Sequence, residues 1–179
     1  AVARRMAARR AWIKSVLPLV DSAFFTDGDF VHSVDRGEVD GILAEQSSKM
    51  VVLRQGVDSR IAGKGTPDPF RRIPILFTGI RTGGEKRASF VDEMMDVYKE
   101  SFVCVHRGSY RKDLANLIAS SQIVVAPDGP CTDRYWSNRI YLTLGFGGFL
   151  LHPFCEGLQA EYQDGKEIIF YRSREDLHE

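Results

Sequence analysis

The chain has 179 residues, 44% of them hydrophobic and 27% charged, with 16 glycines and 7 prolines, which excludes a disordered or collagen-like polypeptide. Lysine plus arginine equals aspartate plus glutamate at 24 each, so no overall positive field exists to hold a nucleic-acid backbone or an anionic membrane, and any anion site is local. Three cysteines without a Cys-x-x-Cys pair cannot form a closed disulfide framework and fit a reducing cytoplasm, and no apolar run approaches the roughly 20 residues that span a bilayer.

The Arg-rich, acid-free residues 1–14 superficially resemble a transit peptide. The spacing of Val2, Met6, Ile13, Val16, Leu17 and Val20 along one face predicts instead a helix, read as starting inside a longer protein. Residues 22–26 read as a short buried strand closed by the turn Asp27-Gly28-Asp29, and a polar stretch follows to Ser48. Residues 49–53 form a second strand candidate, ended by the turn chemistry of Gln55-Gly56-Val57-Asp58. Residues 59–72 combine glycine, proline and charge without periodicity and read as a linker.

Beyond the linker, apolar strands at 75–78, 102–105, 123–126, 149–151 and 168–170 alternate with helices at 86–98, 110–121, 134–145 and 157–162. The helices are amphipathic, with Phe90, Met94, Val97 and Tyr98 on one and Leu114, Leu117 and Ile118 on the next. This alternation predicts an α/β fold, a Rossmann-like doubly wound parallel sheet, whose ligands bind beyond the carboxyl ends of the strands. The loops after residues 78, 106, 127 and 152 are therefore expected to line a site.

The first of these loops holds Gly79, Gly83 and Gly84 with Arg81, Lys86 and Arg87. Glycine admits close backbone approach, a helix start presents free N–H groups, and the cations suit phosphate, so a diphosphate fits there. A solvated turn with surface charges explains the same residues, and neither GxGxxG nor a P-loop spacing is present. The second loop offers His106, Arg107, Gly108 and Ser109. The third offers Asp128 and Asp133, carboxylates able to bind sugar or ribose hydroxyls, although Asp133 or Thr132 equally suits a helix N-cap. Core packing is the default reading for Tyr135, Trp136, Tyr141 and Phe146. Nothing lowers the thiol pKa of Cys131 or Cys155, which receive no role.

From residue 131 to 171 several short motifs follow one another in order: Ser137-Asn138-Arg139-Ile140-Tyr141, Gly145, Gly147-Gly148-Phe149-Leu150-Leu151, Gly157-Leu158, Asp164-Gly165-Lys166 and Phe170-Tyr171. This succession resembles the C-terminal domain of GT-B, group 1 glycosyltransferases, in the subgroup with spore-maturation-protein-like members. The resemblance covers residues 73–179, and more loosely 20–60, where Phe25-Thr26-Asp27 is similar to the interdomain crossing. It implies the end of an N-terminal acceptor domain and the crossing over residues 1–58, the linker over 59–72, and a nucleotide-sugar-binding domain over 73–179. The implied activity is transfer of a sugar from a nucleoside-diphosphate sugar to an unknown acceptor, a glycan, protein or small molecule, with retention at the anomeric carbon, no metal and no cofactor.

In such enzymes Arg and Lys stabilise the leaving diphosphate, a role the resemblance carries to Arg81 and Lys86, with Arg87 as a third candidate. Gly79, Arg107, Ser109, Asp128, Asp133, Ser137, Asn138, Arg139 and the N–H groups of Glu156, Gly157 and Leu158 complete the expected donor site. One departure stands out: Leu142 occupies the place of a glutamate that holds ribose hydroxyls in many relatives, and leucine accepts no hydrogen bond. That departure motivates a second reading, a non-catalytic nucleotide-binding or structural module. A third is a sugar-nucleotide epimerase on the same fold. These 179 residues alone are expected to bind nucleotide without transferring sugar.

Overall fold

The computed structural model describes residues 2–58, 60, 62–70, 72–81, 85–105, 112–127 and 135–179, with side chains from Ala7 onward. It divides into two compact units, Ala1–Gln55 and Gly56–Glu179.

The first unit begins with helix α1, Val2–Val16, continued by a 3-10 turn, Leu17–Leu19. Strand β1, Ala23–Phe25, leads into helix α2, Gly28–Asp35, and a 3-10 segment, Ala44–Lys49, leads into β2, Met50–Val52. The strands pair in parallel, with Phe24 opposite Val51. Ile13, Leu17, Val34, Val39, Ile42 and Met50 form the core beneath them. Helix α2 corrects the expected turn and polar stretch. The Asp27 carboxylate accepts the Phe30 N–H at 3.1 Å and caps the helix, so the residue read as a turn former is its N-cap.

The second unit alternates strands and helices: β3 (Ile73–Thr78), α3 (Glu85–Tyr98), β4 (Phe102–Val105), α4 (Lys112–Ala119), β5 (Ser121–Val125), α5 (Arg139–Gly145), β6 (Leu150–Pro153), β7 (Ile169–Tyr171) and α6 (Arg174–His178). The five strands run parallel in the order β4-β3-β5-β6-β7, the doubly wound sheet that the alternation predicts. Both faces are covered. On one, Leu76, Val124, Ala126, Leu150 and Phe170 meet Ala115 and Ile118 of α4 and Ile140 of α5. On the other, Phe77, Val125 and Tyr171 meet Phe90, Val91 and Met94 of α3 and Leu177 of α6. The two-residue period of a strand sends neighbours such as Val124 and Val125 into opposite cores.

Because β4 lies on one side of β3 and β5 on the other, the chain reverses its direction of winding between β3 and β5. That reversal opens a crevice beyond their carboxyl ends.

The segment expected to be a linker is instead tied to the second unit in its described residues. Gly63 N–H donates to the Gly145 carbonyl at 2.8 Å, Thr66 N–H to Asn116 Oδ1 at 2.8 Å and Asp68 N–H to Ser120 Oγ at 2.9 Å. Gly65 lies so close to α4 that a Cβ there would stand 2.3 Å from the Ala115 carbonyl oxygen. The helix expected over 157–162 is a 3-10 turn, Leu158–Ala160, preceded by Gly157 at φ +87°, a left-handed conformation that glycine adopts without steric cost. Among the described residues no helix is long and apolar enough to cross a membrane.

Candidate functional site

Arg139 opens α5 on the face of the sheet that carries α4, and its side chain turns toward the crevice. Its Nε and Nη2 donate to the Thr78 carbonyl, the last residue of β3, at 3.2 and 2.9 Å, and its guanidinium carbon lies 5.2 Å from the centroid of the Phe77 ring. The strand end thus fixes the guanidinium by a forked hydrogen bond and a cation–π contact. Gly79 makes room for it, since a Cβ there would stand 2.7 Å from Arg139 Nη2 and 3.1 Å from Phe77.

Two further nitrogenous side chains share this region. Arg87, on the first turns of α3, donates from Nη1 to the Ile80 carbonyl at 3.5 Å, while its Nε is buried without a partner. Burial lowers the Arg139 pKa to about 10, and the positive charge of Arg87 is the next cause. His152, 4% exposed near the end of β6, is pushed down to about 4 by burial, with the hydrogen bond to Pro153 opposing and Arg139 adding to the shift. Among the described residues no carboxylate pairs with Arg139 or Arg87. Charges inside proteins are ordinarily paired, so the positive charge of Arg139 and Arg87, uncompensated among the described residues, is the feature of this region to which an anion would be drawn.

The sequence profile described as glycosyl transferase-like matches residues 58–179, more than half of the chain. The chain belongs to the glycosyl transferase-like family. Its fold is shared with a glycosyltransferase from Rickettsia africae ESF-5, with a TM-score of 0.58 at 11% identity over 94% of this chain. This chain covers 54% of the length of that protein. A further likeness is to the GtfA/B complex, with a TM-score of 0.47 at 11% identity, covering 93% of this chain and 38% of the other. No curated protein matches in sequence. The chain thus carries a glycosyl transferase-like domain whose Rossmann-like parallel sheet is the one expected from the alternation of its strands and helices.

Within this glycosyltransferase domain, the expected site residues fall into three groups. Gly79 and Arg139 meet at the crevice, Arg87 reaches the Ile80 carbonyl next to Gly79, and His152, not among the residues expected from sequence, stands at the carboxyl end of β6. Arg81 and Lys86 are exposed, and Arg81 is ion-paired with Asp92 of α3. Ser137 and Asn138 precede α5, where Ser137 Oγ accepts the Arg139 N–H at 3.3 Å and Asn138 is exposed. Glu156 is exposed. The remaining candidates, Arg107, Ser109, Asp128 and Asp133, lie outside the described residues, as do Cys131 and Thr132.

Leu158 is a correction. Its side chain is fully buried in the core and its N–H donates to the Cys155 carbonyl at 3.1 Å, so neither group is left for a ligand. No α-helix begins at this point, where Gly157 precedes a 3-10 turn, Leu158–Ala160. Cys155, assigned no role from sequence, is 2% exposed and disulfide-bonded.

One signal for His152 was present in the sequence. It is the polar residue in the run Leu150-Leu151-His152, and a strand's period puts it on the same face as Leu150, facing the core that contains α5.

Proposed function

We propose that this chain carries the nucleotide-sugar-binding half of an enzyme that moves a sugar from a nucleoside-diphosphate sugar to an acceptor, a glycan, protein or small molecule. The observation that carries the reading is the pair Arg139 and Arg87, held at the winding reversal of a parallel sheet without a carboxylate partner among the described residues. A diphosphate supplies the missing negative charge, and a guanidinium fork matches its oxygens.

As the bond from the anomeric carbon to the diphosphate oxygen breaks, negative charge grows on the leaving group. Fixed cations in a desolvated crevice stabilise that charge more than the ground state. In this reading the cations take the place of a metal, and the sugar is transferred with retention, as the resemblance implies. Arg81 and Lys86 act as outer contacts, with Arg81 exchanging Asp92 for phosphate when the ligand enters.

The cytoplasmic location expected from the cysteine spacing forms part of this proposal. It has to accommodate the disulfide at Cys155, since disulfides are rare in reducing compartments. Titration of free thiols on protein isolated without reductant decides it: all three cysteines react in the cytoplasmic case, whereas Cys155 is silent if the bond persists.

Calorimetry with the four ribonucleoside diphosphates, the corresponding nucleosides and inorganic pyrophosphate tests the central claim. At least one diphosphate is expected to bind about a hundredfold more tightly than its nucleoside, with or without a chelator. Failure of every diphosphate to bind rejects the donor-site reading. The 179-residue chain is expected to bind donor without transferring sugar, and measured transfer by it would overturn that part.

A further inference from the structure

His152 adds a second kind of recognition to the crevice. Its Nδ1 lies 2.7 Å from the Pro153 carbonyl, which can only accept, so Nδ1 carries the proton and donates it. In the neutral ring Nε2 then bears a lone pair and acts only as an acceptor. No donor among the described residues meets it. The residue is 4% exposed, shares the face of Leu150, and lies opposite Phe170 of β7. It stands at the carboxyl end of β6, the neighbour of β5, on the sheet face that carries α5, which Arg139 opens.

An unshared lone pair repels phosphate oxygens, which are themselves acceptors, so the ligand group that meets it must be a donor. Beside a diphosphate held by Arg139, the donors a nucleotide sugar brings are hydroxyls. Helix α5 has no acceptor side chain to offer at Leu142, which packs against the core. We propose that His152 is the hydroxyl-recognising residue of this site, accepting at Nε2 a hydrogen bond from a ribose or sugar hydroxyl of the bound donor. The proposal rests on the reading of the crevice as a donor site.

The test compares wild-type protein with His152→Asn, whose amide keeps the donor to Pro153 but has nothing at the Nε2 position, and with His152→Gln, which restores a polar atom there. Three probes are used: inorganic pyrophosphate, the best-binding ribonucleoside diphosphate, and that nucleoside's diphosphoglucose. His152→Asn is expected to bind pyrophosphate within about twofold of wild type and a hydroxyl-bearing probe about tenfold more weakly, with partial recovery in His152→Gln. A loss that first appears with the nucleoside diphosphate identifies the ribose, and one that first appears with the diphosphoglucose identifies the sugar.

Equal losses on all three probes, or no loss on any, overturn the role of His152 while leaving the donor site intact. Wild-type protein that binds no diphosphate overturns both. A measurement on wild type is independent of whether either variant folds. The His152 Nε2 nitrogen resonance is expected to move when the hydroxyl-bearing probe binds and to stay within the pyrophosphate-induced shift otherwise. An unmoved resonance under saturating nucleotide sugar counts against the proposal.

Discussion

Two clusters of charged side chains on the second unit carry opposite lessons. On the face of α3 and α6, Glu93 accepts from Arg174 Nη1 at 2.9 Å and meets His178 Nε2 at 2.8 Å, while His178 Nδ1 meets the Tyr98 hydroxyl at 2.9 Å. Arg174 also lies over the Phe90 ring at 4.8 Å, and the cluster fastens α6 to α3. At the crevice, Arg139 has a carbonyl and an aromatic ring but no carboxylate among the described residues, and Arg87 Nε has no partner. A cluster whose charges balance from within is structural, and one left with a positive surplus among the described residues is, in the function proposed above, completed by an anionic ligand.

The sharpest way to break this contrast is Arg139→Met, which keeps much of the side-chain volume and removes the charge. Affinity for a nucleoside diphosphate is expected to fall by about 3 kcal/mol, roughly a hundredfold, since a desolvated charge partner is lost. Stability of the ligand-free protein is expected to change by less than about 1 kcal/mol, because the lost hydrogen bonds to Thr78 are offset by removal of an uncompensated buried cation. Calorimetry and chemical denaturation measure the two effects. A large loss of stability with unchanged affinity would make Arg139 a structural residue like Arg174.

The fold was legible because each strand of the second unit is an apolar run bounded by polar turns. Phe102–Val105 was readable to the residue. Short helices were harder. Asp27 capping α2 was hidden behind Gly28, a residue that favours turns, and α6 announces itself by Ser173 accepting the Asp176 N–H at 3.2 Å, a capping pattern visible only over a few residues. In the expected linker the signal is ambiguous, because glycine and proline mark both flexible chain and tightly packed chain, and Gly65 lies close against Ala115. In the site, Arg139 stood within a recognisable motif, but its partner Thr78 is 61 residues away and the absence of a carboxylate is a property of three-dimensional surroundings. The prominent cations of the first glycine-rich loop drew attention to Arg81, which the structure pairs with Asp92.

Protonation distinguishes the two clusters more gently. Because the His152 pKa is lowered to about 4 in the folded protein, the unfolded chain, with an ordinary histidine near 6.5, binds the proton more readily between those values. Stability therefore rises with pH through that window and falls on acidification from about 6.5 toward about 4. Between pH 8 and 5.5 the loss attributable to His152 is about 1.4 kcal/mol, and His152→Asn is expected to flatten the wild-type denaturation profile by that amount. Equal pH slopes in the two proteins would show that His152 is accessible and titrates normally.

Glu93→Gln is the mildest of these changes and the clearest control, since it acts on the cluster between α3 and α6 alone. Glutamine preserves the shape and one accepting oxygen, so Arg174 keeps a hydrogen bond to the amide oxygen, the amide NH2 faces His178 Nε2 and needs that nitrogen to accept, and the negative charge that pairs the cluster is lost. With the three side chains between 25% and 32% exposed, water screens the interaction, and the expected cost is about 0.5–1 kcal/mol of stability. Nucleotide affinity is expected to stay within about twofold of wild type, because α6 is fastened to α3 on the opposite face of the sheet from α5. A tenfold loss of affinity from this substitution would mean that the balanced cluster and the crevice are coupled through α3, the helix that carries both Glu93 and Arg87. In that case charge balance within a cluster would no longer separate its structural role from a ligand-binding one.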